Sequence, residues 1–262
     1  MFAEERQQLI SELVTERGRV SVTDLAERFS ITTETIRRDL AALEDSGSLR
    51  RVHGGAVPTD RLTTREESIF ERAIQRQSEK LRIASAALAM VPGASASILL
   101  DAGSTTEILA DLLAQRAPSS LGGGELVVIT HAIPIAGKLS SAQGIALQTL
   151  GGRVRGLTQA AVGQSTVDAA YRLRPDIAFI GANGIHPTFG LSTPDPEEAA
   201  VKAAFVKSGR RVVALADSSK LDAETLVQFA TLKDVDTLIT DRQPSRDLAE
   251  ALAEAGVEVV VA

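Results

Sequence analysis

Residues 19–57, RVSVTDLAERFSITTETIRRDLAALEDSGSLRRVHGGAV, decide the fold of the first part of the chain. The stretch predicts two short helices around a tight turn, followed by a basic hairpin. Ser21 stands where the N-cap of the first of these helices is expected, and the second begins near Thr32 or Thr33. This layout is typical of domains that place one helix in the DNA major groove and a loop against the neighbouring backbone.

The second of these helices has two different faces. Ile36, Leu40 and Leu43 recur at helical spacing and form its buried face. The opposite face carries short polar side chains, which allow close approach to base edges, and arginines, which pair with guanine or phosphate. Arginines also lie in the hairpin, where a wing meets DNA. The candidate DNA-binding residues are Ser21, Thr32, Thr33, Glu34, Thr35, Arg37, Arg38, Arg50, Arg51, His53 and Gly54. We therefore interpret residues 1–57 as a winged helix-turn-helix domain.

A plain three-helix bundle is the alternative, because an arginine pair on a helix is often only a solvated face. The first 57 residues contain eight Arg and ten Asp or Glu, so this domain is not basic as a whole. Attraction to phosphate then requires that the arginine pairs be concentrated on one face. The hairpin that follows the helices favours DNA binding over the plain bundle.

Composition excludes several classes of protein. The chain has 262 residues, a net charge of −6 and no cysteine, which rules out disulfides and cysteine-based zinc sites. No apolar stretch approaches the length of a membrane span. Three scattered histidines give no metal-ligand spacing, and we expect neither a metal nor a cofactor. We expect a cytoplasmic protein without a membrane partner.

A polar stretch after Pro58 interrupts the periodicity and predicts a linker at residues 58–67. One long helix is expected from about Ser68, and it starts a second domain over residues 68–262. Apolar strand-length runs then alternate with helical segments, which favours an α/β fold with a mostly parallel sheet covered on both faces. The predicted strands are SILLD, ELVVIT, IALQTL, DIAFIGA, RVVALAD, VDTLIT and VEVVVA.

In such sheets ligands bind at the carboxyl ends of the strands. The residues 101–106, DAGSTT, follow the first strand and open a helix. Glycine and three hydroxyl residues at a helix N-terminus offer free N–H groups and hydroxyl donors to an anion such as phosphate. The spacing matches neither a P-loop nor a dinucleotide fingerprint. The alternative is an ordinary helix start.

Other strand ends carry polar residues that could complete a sugar-phosphate site. Each loop alone is also explained as a turn, but all of them converge on one edge of the sheet. The candidates at the strand ends are Asp101, Gly103, Ser104, Thr105, Thr106, His131, Gly152, Arg153, Asn183, Gly184, Asp217 and Lys220. A structural histidine is as good an explanation of His131 as a ligand contact.

The chain resembles the DeoR family of bacterial transcription repressors. The resemblance rests on TIRRDL, RVHGGA, LDAGSTT, LGGRVR, GANGI, GLSTPDPEEAAVK and ALADSSK, and it covers nearly the whole chain. It implies a repressor of a sugar-catabolic operon that binds operator DNA as a homo-oligomer, a dimer or tetramer. It also implies a sensor domain for a phosphorylated sugar, with fructose or a similar hexose phosphate favoured. Within GLSTPDPEEAAVK it adds Asp195, Glu198 and Lys202 as candidate effector residues.

That sensor domain is similar in fold to ribose-5-phosphate isomerase, so a sugar-phosphate isomerase is the alternative function. Isomerisation needs a carboxylate base beside the substrate and a group that polarises the carbonyl. The sequence contains suitable residue types, but it places none of them as a base. The attached winged helix-turn-helix favours a sensor.

Overall fold

The computed structural model describes residues 3–46, 48–52, 54–57, 66–93, 95–116 and 124–262. The candidate residue His53 and residues 58–65 of the predicted linker lie outside the described residues. The chain forms two compact units, Met1–Arg65 (unit 1) and Glu66–Ala262 (unit 2). The division between the two units falls inside the linker predicted at residues 58–67.

Unit 1 contains three helices and three short strands within its described residues. These are α1 (Ala3–Arg17), β1 (Val20–Ser21), α2 (Val22–Phe29), α3 (Thr33–Asp45), β2 (Arg50–Val52) and β3 (Gly55–Val57). The predicted hairpin is present as β2 and β3, and β1 pairs with β3 on its other edge. Gly55 permits this third strand, because a Cβ there would collide with the carbonyl oxygen of Val20.

The helix starts in unit 1 are those that the sequence predicts. The Ser21 hydroxyl accepts a hydrogen bond from the Asp24 N–H at 3.0 Å and caps α2. The Thr32 hydroxyl does the same for α3, accepting from the Thr35 N–H at 3.3 Å. Ser30 ends α2 in the left-handed conformation with a φ of 53°, which turns the chain sharply between the two helices.

Unit 2 is an α/β unit with alternating elements. Its helices are α4 (Ile69–Ile74), α5 (Gln77–Met90), α6 (Ser104–Ala114), α7 (Ile133–Leu139), α8 (Gln164–Tyr171), α9 (Pro196–Ser208) and α10 (Arg246–Ala255). Its strands are β4 (Ser97–Leu100), β5 (Leu126–Thr130), β6 (Ile145–Thr149), β7 (Arg153–Arg155), β8 (Ala160–Val162), β9 (Ile177–Gly181), β10 (Gly184–His186), β11 (Gly190–Thr193), β12 (Val212–Leu215), β13 (Val227–Ala230), β14 (Thr237–Thr240) and β15 (Glu258–Val261).

All the strands predicted for this unit pair in one parallel sheet, in the order β15-β14-β12-β9-β4-β5-β6. Alternate residues of the central strand β9 enter two different cores: Ala178 and Ile180 on one face, Ile177 and Phe179 on the other. Helices α8, α9 and α10 cover the first face, and α5, α6 and α7 cover the second. Burial on both faces explains why the central strands β4, β9 and β12 are continuous apolar runs.

The single long helix expected from Ser68 is wrong. The chain forms α4 and α5 instead, separated at Gln75 and Arg76, and Arg76 is left-handed with a φ of 49°. That conformation costs a non-glycine residue about 1–2 kcal/mol. Two contacts offset the cost: Arg76 lies 3.6 Å from Asp217, and the Lys80 ammonium donates to the Arg72 carbonyl that the helix end leaves free.

The structure adds two small antiparallel elements that the sequence analysis treats as loops. Strands β7 and β8 form a hairpin, and β10, β11 and β13 form a second sheet. Each of these strands is only three or four residues long, which is too short for a period to be recognised. Within the described part of the chain, no helix has both the length and the apolar character needed to cross a membrane.

Candidate functional site

The recognition face of α3 is exposed and carries both signs of charge. Thr33, Glu34, Arg37 and Arg38 are exposed, while Thr35 is half-buried. Glu34 lies 3.7 Å from Arg37 and 3.8 Å from Arg38, and all three side chains are more than 60% exposed. Exposed pairs of this kind contribute little, so both guanidinium groups are available to another partner at small cost.

Some predicted DNA-binding residues have hydroxyls that already serve the fold. Ser21 and Thr32 act as N-caps, and the Thr32 and Thr35 hydroxyls lie 2.9 Å apart. These three residues fix where α2 and α3 begin. The other predicted contact residues of α3 are Thr33, Glu34 and the two arginines, and their side chains are exposed.

In the wing, the two arginines differ. Arg50 is exposed and shows no ion pair within the described residues, whereas Arg51 is held by Glu44, with 3.2 Å between the two side chains. The Arg51 N–H also donates to Glu44 at 2.8 Å. Gly54 has a φ of 75°, a conformation that glycine adopts without strain at a hairpin tip.

A buried ion pair that the sequence analysis missed joins α1 to α3. The Arg6 guanidinium donates to both carboxylate oxygens of Asp39, at 2.6 and 3.1 Å, and Gln7 adds a third hydrogen bond at 3.0 Å. Asp39 is 4% exposed. The pair therefore fixes the recognition helix against α1, and the position of Asp39 inside the apolar face of α3 is the signal that could have indicated it.

In unit 2, a cleft lies at the carboxyl ends of β4, β9 and β12. The cleft is where parallel α/β sheets bind ligands. Eight of the predicted effector residues line it: Gly103, Ser104, Thr105, Thr106, Asn183, Lys202, Asp217 and Lys220. Segments separated by more than 100 residues in the sequence thus meet in one place, as the sequence analysis expects of a sugar-phosphate site.

The N-terminus of α6 forms one wall of this cleft. Its first N–H groups have no acceptor within the helix and carry the positive end of the helix dipole. The Thr106 hydroxyl donates to the carbonyls of Asp101 and Gly103, at 2.7 and 2.9 Å, and is occupied by the fold. Ser104 and Thr105 are therefore the hydroxyl residues here with donors to spare.

Beneath the cleft lies a buried charge cluster around Asp101, which is 0% exposed. Lys202 contacts one carboxylate oxygen, to which the Gly181 N–H also donates at 3.0 Å, and His131 Nε2 lies 3.2 Å from the other. Burial raises the pKa of the Asp101 carboxyl, but Lys202 and His131 outweigh burial and hold that pKa below its ordinary value. The charged carboxylate positions Lys202, whose ammonium also donates to the Gly181 carbonyl at 3.0 Å.

His131 has a structural set of partners. Its Nδ1 donates to the Ala161 carbonyl at 2.7 Å, and Nε2 lies 3.1 Å from the Ala102 nitrogen. The ring also packs edge-on against Phe205, with 4.9 Å between the ring centres. The side chain is 3% exposed and holds the loop that begins α6.

The remaining candidate effector residues do not line the cleft. Asp101, His131, Gly152, Arg153, Gly184, Asp195 and Glu198 belong to this group. Arg153 is exposed and pairs with Glu197, while Asp195 caps α9 by accepting from the Glu197 and Glu198 N–H groups. Gly152 and Gly184 pack against other backbone, because a Cβ at either would collide with a carbonyl oxygen.

Glu198 belongs to a second buried cluster, around Arg155. The Arg155 guanidinium lies 2.6 Å from Glu66, 3.1 Å from Glu198 and 3.3 Å from Asp195. Burial, and then the charge of Glu198, raise the pKa of the Glu66 carboxyl. Arg155 thus anchors the first residue of unit 2 to the helix α9 that carries Lys202.

Helices α4 and α5 bring basic residues to the cleft that the sequence pattern does not indicate. Arg72, Gln75, Arg76 and Lys80 all line it, and no loop motif marks them. Burial, together with the charges of Lys220 and Arg72, lowers the pKa of Lys80 to about 8, although Asp217 opposes the shift. Five cations line the cleft against two carboxylates, those of Asp217 and of Asp101 beneath it, so its local potential is positive.

Asp217 follows β12, the third strand whose carboxyl end borders the cleft. Burial raises the pKa of its carboxyl, but Lys220, Ser219 and Arg76 lower that pKa below its ordinary value. The carboxylate accepts from the Ser219 N–H at 3.0 Å. Among the described residues, no group of three His, Cys, Asp or Glu side chains is placed to hold a metal ion.

Comparison with known proteins gives matches along both units. Residues 6–61 match the family model of the DeoR-like helix-turn-helix domain, and residues 75–242 match that of the DeoR C terminal sensor domain. The transcriptional regulator GlpR of Haloferax volcanii is 34% identical over 99% of this chain and 98% of that protein. The glycerol-3-phosphate regulon repressor of Escherichia coli is 29% identical over 95% of each chain.

Among solved structures, the chain is similar to the ribose 5-phosphate isomerase A of Methanocaldococcus jannaschii. It aligns with 56% of this chain and 55% of its own length, at 22% identity and a TM-score of 0.42. The similarity concerns the fold alone.

Proposed function

This chain belongs to the DeoR family of DNA-binding transcriptional regulators, and from that premise we propose that it represses a sugar-catabolic operon under the control of a phosphorylated sugar. Unit 1 reads the operator, and the cleft of unit 2 binds the effector. The observation that most supports a phosphorylated effector is that a helix N-terminus and five cationic side chains line one cleft. That combination suits a phosphate dianion better than a neutral sugar.

The DNA-binding half of the proposal assigns α3 to the major groove and the wing to the backbone. Two copies of unit 1, supplied by a homo-oligomer, meet repeated half-sites about one helical turn apart. Such a dimer or tetramer acts in the cytoplasm, where the operator lies. The exposed Arg37, Arg38 and Arg50 supply the contacts to bases and phosphates.

Alanine substitutions test this half. If the arginine contacts a base, Arg37→Ala or Arg38→Ala weakens binding to an operator duplex by about 1–3 kcal/mol. If it contacts phosphate, the substitution lowers the slope of log binding constant against log salt concentration by about 1. Arg246→Ala on α10 removes the same charge from unit 2 and serves as the control. Affinities of both variants equal to that of the control contradict the docking.

The effector half of the proposal favours a hexose phosphate. The phosphate meets the N–H groups of α6 and the cations, while Asn183 and Asp217 face the sugar hydroxyls as donor and acceptor. The Escherichia coli relative is named for a glycerol-3-phosphate regulon, which is consistent with a phosphorylated effector. The effector must bind the DNA-incompetent state more tightly than the competent one, because otherwise it shifts no equilibrium.

A thermal-shift screen tests this half. We expect fructose 1-phosphate, fructose 6-phosphate or a related hexose phosphate to raise the melting temperature of the full chain, and the unphosphorylated sugars to leave it unchanged. Equal shifts from a sugar and its phosphate, or no shift from any phosphate, contradict the proposal. Incubation with ribose 5-phosphate is expected to give no product.

A further inference from the structure

The segment that enters unit 2 contributes to the cleft, although neither family match includes it. The two matches cover residues 6–61 and 75–242, which leaves residues 62–74 between them. Helix α4 lies in this segment, and its Arg72 lines the cleft. The first described helix after the linker therefore contributes a cation to the lining of the cleft.

Arg72 has a donor without a partner. Its Nε is buried and makes no hydrogen bond to any described residue, and Arg72 forms no ion pair in the described part of the chain. A buried donor that lacks an acceptor costs free energy, and native structures rarely leave one without a reason. The charge of Arg72 lowers the pKa of the nearby Glu66, but Glu66 forms its ion pair with Arg155.

Like charges are gathered around Arg72. The Lys80 ammonium donates to the Arg72 carbonyl, and Arg72 and Lys220 both lower the pKa of Lys80. Two other cations of the cleft have carboxylate partners: Arg76 lies 3.6 Å from Asp217, and Lys202 contacts Asp101. The charges of Arg72 and Lys80 are those left for a bound anion to neutralise, since neither makes an ion pair with a described carboxylate.

We propose that Arg72 is an effector-binding residue, and that its guanidinium donates to the anionic group of the ligand and so fixes α4 when the cleft is filled. This inference rests on the proposed function, because it assigns a further contact to the same ligand. A guanidinium fork suits a phosphate, which it contacts with two parallel hydrogen bonds.

The position of α4 gives this contact a consequence beyond affinity. The Ile69 N–H donates to the Leu157 carbonyl at 2.9 Å, Lys80 donates to the Arg72 carbonyl, and Ser68 and Glu71 form a capping box within the segment itself. At its other end, α4 is separated from α5 by the left-handed Arg76. An anion held by both Arg72 and Lys80 links α4 to α5 across this break. Binding of the ligand in the cleft therefore restrains α4, the helix that follows the linker.

Two variants of the full chain test the inference. Arg72→Gln keeps the stem and removes the charge, and Arg246→Gln does the same at an exposed site on α10. The probes are inorganic phosphate and the hexose phosphate that gives the largest thermal shift with the wild-type chain. We expect Arg72→Gln to weaken binding of the hexose phosphate by about 10- to 100-fold, as for a lost hydrogen bond between charged groups, and Arg72→Lys to weaken it less.

Two further readouts separate a ligand contact from a structural role. Without ligand, the melting temperature of Arg72→Gln is expected to equal or exceed that of the wild type, because the substitution removes repulsion from Lys80. Hydrogen exchange of the amides of residues 69–74 is expected to slow on ligand binding in the wild type and in Arg246→Gln, but not in Arg72→Gln.

The outcomes distinguish this inference from the proposed function. If the wild type binds the phosphate probes and Arg72→Gln binds them equally well, the inference is wrong and the proposed function stands. If Arg72→Gln melts well below the wild type without ligand, Arg72 is structural and the inference is again wrong. If no phosphate probe binds the wild type, both are wrong.

Discussion

At the scale of single residues, the buried Arg6–Asp39 pair holds α3 against α1. Breaking a buried ion pair leaves an uncompensated charge and costs about 3 kcal/mol. We therefore expect Asp39→Ala to lower the opening free energy of the α3 amides by about that amount in native-state hydrogen exchange of the full chain. Asp45→Ala, an exposed site on the same helix, is the control. Equal protection of α3 in the two variants would contradict this role.

The same residue shows what a sequence can tell about a buried polar group. Asp39 stands three positions after Ile36, on the inward face of α3, so its need for a partner is readable from the spacing. The identity of that partner is not, because Arg6 lies 33 residues away on another helix. Arg72 and Lys80 illustrate the same limit in the cleft, since nothing near them in the sequence resembles a ligand loop.

At the scale of elements, the start of α6 separates a ligand contact from a structural one. Thr105 makes no hydrogen bond through its hydroxyl within the described residues, whereas the Thr106 hydroxyl bonds two carbonyls. We expect Thr105→Val to keep the stability within about 0.5 kcal/mol and to weaken hexose-phosphate binding. Thr106→Val is expected to lower the free energy of unfolding by about 1–2 kcal/mol, measured by urea denaturation. A normal ligand response in Thr105→Val would remove α6 from the effector site.

Elements were predictable where burial dictates their pattern. The central strands of the parallel sheet are apolar runs because helices cover both of its faces, and the loops at their carboxyl ends follow from the topology. The break between α4 and α5 was not predictable, since neither Gly nor Pro marks Gln75 or Arg76. It depends on tertiary contacts with Asp217 and on the Lys80–Arg72 bond. Arg153 and Glu198 lie in the sequence motifs that suggested effector contacts, but neither lines the cleft. Arg153 pairs with Glu197, and Glu198 pairs with Arg155.

At the scale of the whole molecule, binding of the effector depends on pH through Lys80. Its pKa of about 8 means that the cleft loses a positive charge as pH rises through 8, whereas a phosphate monoester loses its second negative charge below about pH 6. We expect hexose-phosphate affinity to be greatest between these values and to fall above pH 8, measured by titration calorimetry. Lys80→Met is expected to bind weakly and to lose the alkaline decline. An alkaline decline that persists in Lys80→Met would assign it to another group.

Ligand affinity is expected to fall as pH rises above 8, whereas the stability of the ligand-free chain is expected to rise. The folded pKa of Lys80 lies below its ordinary value of 10.5, so the unfolded chain binds more protons between about pH 8 and 10.5. The contribution of Lys80 to the free energy of unfolding therefore rises with pH in that window. Thermal melts of the ligand-free chain and of Lys80→Met, compared across the window, check the sign: the melting temperature of the wild type relative to that of Lys80→Met is expected to rise with pH.

The central claim is that a phosphorylated sugar in unit 2 changes how tightly unit 1 holds DNA. Duplexes selected from a random pool by the purified full chain give an operator, and its affinity is then measured with and without saturating hexose phosphate. We predict specific binding that the hexose phosphate changes at least tenfold, equivalent to about 1.4 kcal/mol of coupling, and that the unphosphorylated sugar leaves unchanged. Selection of no specific duplex, or an affinity that is the same with and without every hexose phosphate tested, would contradict the account.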